Sequence, residues 1–293
     1  MTAALTMTAS ILKLRIGSFV ALAALVGIVT GGGEMGWAEA LVFTLAVLGA
    51  SGAAGAFNHY FERESDRLMA RTAMRPFASG KLKPGAIWPL TFTALLAASL
   101  VMGWSVGGTL AAVLVFCGAF TYGVVYTLWL KRRTVWNVVI GGAAGSFALL
   151  AGAAAAAPEF GPTLAPVPVL LSAMLFLWTP PHFWALAAAK GADYERAGIP
   201  MLPVVTGPEV WGPVIFSHVL VLVLISFGPL LYGLGPLYGL CAALGGAMFL
   251  RASWRLLRAP ERRNAMATFR ASLFHFALVS AGVLLDGAAR WVS

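Results

Sequence analysis

The sequence predicts an all-α protein that crosses a membrane several times, and two observations support this prediction. The chain has 293 residues, 60% of them hydrophobic, and its mean hydropathy is +0.85. Soluble domains are usually about half apolar or less. In addition, runs of about 18 or more apolar residues recur along the whole length, and such runs can span the hydrocarbon core of a bilayer as helices. We expect a single integral-membrane domain over residues 1–293.

Nine apolar runs are candidate membrane spans. In chain order they cover residues 15–30, 38–57, 86–102, 108–125, 136–156, 166–188, 210–230, 233–250 and 268–289. The first run follows Lys13 and Arg15 and precedes the small residues at 38–40, so it also has the form of a cleavable signal peptide. We interpret it as the first span, because the charge pattern orients the chain without any cleavage.

The basic residues alternate between the two sides of the predicted spans. Nineteen of the 20 Lys and Arg residues precede the first span or follow the second, fourth, sixth and eighth spans. The opposite loops contain Glu34, Glu39 and Glu159 but no basic residue. By the positive-inside rule, the N-terminus and the basic loops face the cytoplasm. The net charge of +9 is therefore attributed to membrane orientation, and we expect no nucleic-acid partner.

A polar segment follows the second span, at residues 58–81. Asn58, Glu62 and Asp66 are spaced four residues apart, so on an α-helix they lie on one face. One amide oxygen and two carboxylates are hard ligands that suit Mg²⁺, which takes its other ligands from water and substrate phosphates. The alternative is a solvated helix end whose acids pair with neighbouring bases, namely Arg63, Arg67 and Arg71.

A second acid-bearing segment follows the sixth span, at residues 182–205. Asp193 lies between Lys190 and Arg196, with aromatic residues around it in the sequence. Because the charge pattern places both segments on one side of the membrane, both could contact one diphosphate and each contribute a metal ion. Basic side chains would bind the phosphate oxygens. Acids and bases together indicate a metal-bridged diphosphate.

The motifs in these segments resemble those of a known family. Asn58-x-x-x-Glu62-x-x-x-Asp66, followed by "RTAMRPFASGKL", is similar to the first motif of the UbiA-type intramembrane prenyltransferases. Within that superfamily, "YTLWLKRRTVWNVVIGGAAGS" (126–146), "WTPPHFWALA" (178–187) and "DYERAGIPMLPVV" (193–205) resemble the heme O synthases, or protoheme IX farnesyltransferases. The resemblance extends from about residue 15 to the last span.

The resemblance implies a bundle of nine transmembrane helices around a central cavity with a cytoplasmic cap, in the inner membrane of a bacterium. It implies Mg²⁺-assisted transfer of a farnesyl group from farnesyl diphosphate to a vinyl group of heme B, which gives heme O. Heme A synthase and terminal oxidase assembly factors are the candidate protein partners.

Residue roles follow from the matching positions. The resemblance implies that the catalytic metal ligands are Asn58, Glu62, Asp66 and Asp193. We also place four bases near the diphosphate, of which Arg75 and Lys131 lie within matched motifs: Arg71, Arg75, Lys131 and Lys190. Two positions depart from the pattern. The family normally has Asp where this chain has Glu62, and Ala189 stands where the wider superfamily often has a second acid.

Aromatic residues near these motifs fit the same chemistry. Aromatic faces stabilise an allylic cation without acting as nucleophiles, and metal ions and bases stabilise the charge on a departing diphosphate. The remaining candidates for substrate contact are Tyr122, Tyr126, Trp178, His182 and Phe183. Interfacial anchoring is an equal alternative for the two tyrosines.

The histidines are open to several interpretations. His182 could bind heme iron, form a hydrogen bond to heme, act as a base, or cap the sixth span. His59 lies about 100° around the helix from Asn58, so we expect it at the surface. We expect His218 and His275 to pack inside the bundle.

Two other functions stay open from the sequence. A prenyltransferase of the same superfamily could use another aromatic acceptor, such as a quinone or chlorophyll precursor. A transporter or a non-catalytic heme-handling protein belongs to a different class, but transporters generally bury ionisable groups near the bilayer midplane. Here the acids lie at the ends of predicted spans, which favours interfacial chemistry on a substrate with a polar head and a long tail.

Overall fold

The computed structural model describes residues 2–33, 35–157 and 163–292, and every regular element in these ranges is helical. The predicted loop acids Glu34 and Glu159 lie outside the described residues. In chain order the elements are α1 (Thr2–Ile11), α2 (Leu14–Thr30), α3 (Trp37–Phe61), α4 (Arg63–Arg67), α5 (Ile87–Phe120), a π-helix (Thr121–Leu130), α6 (Asn137–Gly141), α7 (Ala143–Ala156), α8 (Pro166–Ala189), α9 (Gly191–Arg196), α10 (Leu202–Val205), α11 (Pro208–Ser226), a 3₁₀-helix (Gly228–Tyr232), α12 (Pro236–Arg258) and α13 (Arg262–Val292).

The prediction of an all-helical membrane protein is confirmed, but the count of nine spans is not. Within the described ranges, seven helical elements are long and apolar enough to cross a membrane. The number becomes eight when α1 and α2, which are bent by 59° relative to each other, are taken as one span.

Two of the predicted spans, 86–102 and 108–125, are joined in one element. The stretch Ile87–Leu130 has 44 residues. At about 1.5 Å per residue it would be roughly twice as long as the hydrocarbon core is thick if it were straight. It is not straight, because Gly108 has φ 76° and ψ 179°, a non-helical conformation at a kink. Only glycine adopts this conformation readily, so the chain bends there without forming a loop.

Small residues let the helices approach closely. A Cβ atom at Gly27 of α2 would lie 1.9 Å from the carbonyl oxygen of Leu149 in α7, and one at Gly152 would lie 1.9 Å from the carbonyl oxygen of Ala24. Neither glycine can therefore be replaced without separating α2 from α7. Contact between small residues is the usual means of packing helices inside a membrane, where lipid is as apolar as the helices themselves.

Candidate active site

A polar cavity of about 130 Å³ lies where the junction of α1 and α2, the end of α3 and the end of the π-helix meet. Its charged lining consists of four basic side chains and two carboxylates, an excess of two positive charges: Lys13, Arg71, Arg75, Lys131, Glu62 and Asp66. Asn58 and Thr179 complete the polar lining, and the aromatic lining is Tyr122, Tyr126, Phe183 and Tyr194. A positive cavity with low-dielectric walls attracts an anion.

Asn58, Glu62 and Asp66 reach this cavity together because helical hydrogen bonding continues past the end of α3. The amide of Glu62 donates to the carbonyl of Asn58 at 3.0 Å, and the amide of Asp66 donates to the carbonyl of Glu62 at 2.8 Å. The three side chains are only 1–2% exposed. They are therefore not the solvated helix end that the sequence left as an alternative.

Each of these three side chains binds a basic residue outside its own helical turn, nine residues away for Asp66, 45 for Asn58 and 69 for Glu62. The Lys131 ammonium donates to Oε2 of Glu62 at 2.5 Å, and Nη1 of Arg75 donates to both carboxylate oxygens of Asp66, at 2.8 and 3.0 Å. Lys13 donates to Oδ1 of Asn58. The partners expected from local spacing are different, since Arg63 and Arg67 both pair with the exposed Glu64.

Glu62 retains one free oxygen. Burial alone would raise the pKa of its carboxyl group, but the charge and hydrogen bond of Lys131, with Lys13 and Arg132 nearby, bring the pKa below its ordinary value. The group is therefore an anion at neutral pH. Its Oε1 is buried and has no hydrogen-bond partner in the described structure, which is unusual for a buried polar atom. An anionic, unpartnered oxygen in a cavity wall is a suitable ligand for a divalent cation.

The described residues do not form a complete metal cage by themselves. In the ranges that the structure describes, no three His, Cys, Asp or Glu residues are grouped closely enough to hold a metal ion. Asn58, Glu62 and Asp66 offer two carboxylates and an amide oxygen, and this small set fits Mg²⁺, which keeps several waters and binds substrate phosphates.

Asp193 lies beside the polar cavity but does not line it. Its Oδ1 accepts a hydrogen bond from the amide of Ala70 at 3.4 Å and also binds Arg196. Arg196 in turn donates to the carbonyl of Leu68 at 3.2 Å. The two acid-bearing segments therefore meet at one end of the bundle, as the sequence predicted. The carboxylate, however, is directed to the backbone of the first segment.

Two residues that sequence reasoning missed do line the polar cavity. Tyr194 follows Asp193 in α9, and its side chain interacts with the Arg71 guanidinium. Burial raises the pKa of the Tyr194 hydroxyl. Lys13 was interpreted only as an orientation signal. For Tyr194 the sequence did contain a signal, namely an aromatic residue beside an acid, whereas nothing local distinguishes Lys13 from Arg15.

The aromatic candidates divide into two groups. Tyr122 and Tyr126 stack with ring centroids 5.7 Å apart, and both line the polar cavity, as does Phe183. Trp178 and His182 lie behind Phe183 and face α13, where both bind Ser272. Nε1 of Trp178 donates to the Ser272 carbonyl at 2.8 Å, and Nδ1 of His182 lies 2.6 Å from the Ser272 hydroxyl oxygen. Lys190, which was expected near the diphosphate, does not line this cavity.

The prediction for His59 was wrong. Its side chain is 3% exposed rather than at the surface, because α3 is buried on more than one face at this level. His275 is fully buried, as expected for packing inside the bundle. His218 is half-buried, and its Nδ1 lies 2.9 Å from the carbonyl oxygen of Val214.

An apolar cavity of about 90 Å³ adjoins the polar cavity, and Ile16 and Tyr122 line both. It extends between α2, α3, α5 and α7, and its walls consist largely of small side chains such as Ala50, Ala54 and Ala148. The two cavities together offer a charged compartment for a polar head and an apolar compartment for a hydrocarbon tail.

Comparisons with known proteins agree with this arrangement. The sequence model of the UbiA prenyltransferase family matches residues 19–278. "Protoheme IX farnesyltransferase 2" of Paramagnetospirillum magneticum (strain ATCC 700264 / AMB-1) is 50% identical over 287 residues, which cover 98% of each chain.

Solved structures share the fold at low sequence identity. The apo structure of a UbiA homolog from Aeropyrum pernix K1 has a TM-score of 0.73 at 22% identity and covers 93% of this chain and 98% of its own. A UbiA homolog from Archaeoglobus fulgidus, bound to GPP and Mg²⁺, has a TM-score of 0.67 at 17% identity and covers 95% and 99%.

Proposed function

The chain belongs to the UbiA prenyltransferase family, and we propose that it transfers a farnesyl group from farnesyl diphosphate to a vinyl group of heme B, giving heme O. The bond from farnesyl to diphosphate breaks and diphosphate leaves, the terminal vinyl carbon forms the new bond to farnesyl, and one water supplies the hydroxyl group on the other vinyl carbon and releases a proton. The observation that carries this proposal is the pair of adjoining cavities, one charged and one apolar. The choice of heme as acceptor is supported by the 50% identical relative, which is named a protoheme IX farnesyltransferase and matches almost end to end.

The polar cavity would bind the diphosphate head. We assign Mg²⁺ binding to Asn58, Glu62 and Asp66, and phosphate binding to Arg71, Arg75 and Lys131, all of which line the cavity. When bound, Mg²⁺ supplies Lewis-acid stabilisation of the negative charge that develops on the leaving diphosphate. The basic side chains donate hydrogen bonds to the same oxygens in a site with little water, where such bonds have their largest effect.

Asp193 is proposed as a ligand of a second Mg²⁺, and Lys190 as a further phosphate-binding base. This assignment is supported by the packing of residues 190–196 on the backbone of Leu68 and Ala70, directly beside the cavity. The Asp193 carboxylate becomes available to a metal only when its pair with Arg196 opens. That pair is held by an Arg side chain that is half exposed, so its opening costs little.

The apolar cavity would hold the farnesyl chain. Tyr122 lies at the boundary of the two cavities, and the stacked Tyr126 continues the aromatic wall on the polar side. An allylic cation formed there would contact aromatic faces, which stabilise positive charge. Burial of the same wall excludes the water that would otherwise capture the cation.

We propose that the acceptor approaches from the side of Trp178, His182 and Phe183. The Ser272 hydroxyl donates to the carbonyl of Phe269 at 2.6 Å, so its oxygen accepts the proton of Nδ1 of His182. This assigns the lone pair to Nε2, the state in which an imidazole binds a metal ion or accepts a proton. Nε2 is therefore the atom of His182 that we propose contacts heme.

We further propose nine crossings of a bacterial inner membrane, with the N-terminus and the polar cavity on the cytoplasmic side. The number follows when α1 and α2 form one span and the kink at Gly108 divides Ile87–Leu130 into two. The basic loops support the orientation. The candidate protein partners are heme A synthase and terminal oxidase assembly factors.

The decisive experiment is a reconstituted assay. Purified protein in liposomes is incubated with heme B, Mg²⁺ and farnesyl diphosphate, and the extracted hemes are analysed by mass spectrometry. We expect a heme whose mass has increased by one farnesyl group and one hydroxyl group, and we expect a chelator to abolish its formation. Transfer of the farnesyl group to a quinone or chlorophyll precursor, with none to heme, would contradict the proposed acceptor.

A further inference from the structure

Lys13 has an unusual backbone conformation at the junction of α1 and α2. Its φ of 49° and ψ of 42° lie in the left-handed region, and no other non-glycine residue in the described ranges has a positive φ. Such a conformation persists where surrounding contacts impose it, and it is frequent at functional sites. Here it accompanies the 59° bend between α1 and α2.

The contacts that impose this conformation come from α3. A Cβ atom at Gly55 would lie 3.4 Å from Cβ and Cδ of Lys13, and one at Gly52 would lie 3.5 Å from Cβ of Leu12. The bend is therefore seated directly on the glycine surface of α3, immediately before Asn58. This seating directs the Lys13 side chain into the polar cavity.

The Lys13 ammonium contacts two groups of the proposed site. It donates to Oδ1 of Asn58 and, at 3.0 Å, to the hydroxyl of Tyr122. It lies in the same cavity as Arg71, Arg75 and Lys131. An ammonium group at Oδ1 of Asn58 and a divalent cation at the same oxygen repel each other strongly, so Lys13 has to leave when Asn58 binds a metal ion.

We propose that Lys13 is a diphosphate-binding residue with two alternating partners, an inference that rests on the proposed function. Without Mg²⁺, Lys13 holds the Asn58 amide and the Tyr122 hydroxyl in position. When Mg²⁺ and diphosphate are bound, its ammonium donates to a phosphate oxygen. A long, flexible side chain with three donors is suited to this exchange, because it binds phosphate as a point charge without a fixed geometry.

The test is the binding of Mg²⁺ and inorganic pyrophosphate to the purified full chain, measured by isothermal titration calorimetry. Lys13→Gln keeps a donor for Asn58 but removes the charge, so it is expected to melt near the wild-type temperature and bind pyrophosphate about tenfold more weakly. Lys13→Arg is expected to restore most of the affinity. Arg15→Met is the matched control, because Arg15 is exposed two residues away, and we expect no change.

Several outcomes would overturn the inference. They are wild-type affinity for pyrophosphate in Lys13→Gln, an equal loss in Arg15→Met, or a failure of the wild type to bind pyrophosphate. A loss of heme binding with pyrophosphate binding intact would instead place Lys13 at a heme propionate, and it would also overturn the inference. A wild type that binds pyrophosphate but makes no farnesylated heme contradicts the proposed function. That result does not contradict the binding of pyrophosphate by Lys13.

Discussion

The two acid-bearing segments of this protein both mix acidic and basic residues, but they place their acidic side chains differently relative to the polar cavity. In the first segment, Asn58, Glu62 and Asp66 all line the polar cavity. In the second, Tyr194 lines it and Asp193 does not, although Asp193 is buried. The difference arises because the first segment extends the helical register of the 25-residue α3, whereas α9 has six residues and takes its direction from packing on other segments.

The ion pairs of the two segments differ in the same way. Glu62 pairs with Lys131, which is 69 residues away, and Asp66 pairs with Arg75, which lies nine residues later and beyond the helix that contains Asp66. Contacts beyond a single helix therefore hold the first cluster together. Asp193 pairs with Arg196 three residues later in the same short helix. A local pair whose Arg side chain is half exposed contributes little free energy. The comparison predicts that the first segment dominates catalysis and that the second adjusts it.

Asp66→Ala is expected to have the largest effect, a loss of about 100-fold or more in farnesylated heme formed per minute, because a proposed metal ligand and the partner of Arg75 are removed together. Glu64→Ala is the matched control, since Glu64 lies two residues earlier in an exposed position. Equal activity in the two variants would show that the first segment has no role in catalysis.

Glu62→Gln is expected to lower kcat about 30-fold, since it removes the anionic oxygen that has no partner and leaves Lys131 without its counter-charge. Glu62→Asp restores the residue that resembling enzymes normally have, and we expect it to retain activity within about fivefold. The measurement is the Mg²⁺ dependence of kcat. A Gln variant with unchanged Mg²⁺ dependence would show that Glu62 only neutralises Lys131.

Asp193→Ala is expected to reduce activity about tenfold, with Glu195→Ala as the exposed control in the same helix. The reduction combines the loss of the proposed ligand of a second metal ion with the loss of the contact to Ala70, and each is smaller than the effect at Asp66. A loss as large as that of Asp66→Ala would show that the two segments contribute equally to catalysis.

Tyr194→Phe is expected to have the smallest effect, a rise of about fivefold in KM for farnesyl diphosphate with kcat unchanged. The substitution removes only the hydroxyl that interacts with Arg71, and a single hydrogen bond of this kind contributes about 1 kcal/mol. An unchanged KM would mean that Tyr194 serves only as a wall of the cavity.

Prediction from the sequence succeeded where a single helix carried the information. The stripe of Asn58, Glu62 and Asp66 follows from four-residue spacing alone, and the apolar runs follow from composition. It failed for His59, because angular position on α3 says nothing about how many neighbours surround that helix. It also missed Lys13, whose partner is 45 residues away.

The sequence by itself determined that this is a helical membrane protein, which ends of its helices carry charge, and which oxygen ligands share a face. These properties depend on periodicity and hydropathy, which are local. Only the tertiary structure decided that Lys13, Arg75 and Lys131 bind Asn58, Asp66 and Glu62, that Tyr194 replaces Asp193 in the cavity wall, and that Gly108 bends a helix without a loop. The contacts of Lys13, Lys131 and Tyr194 join distant segments, and such contacts exist only after small residues have allowed the helices to pack.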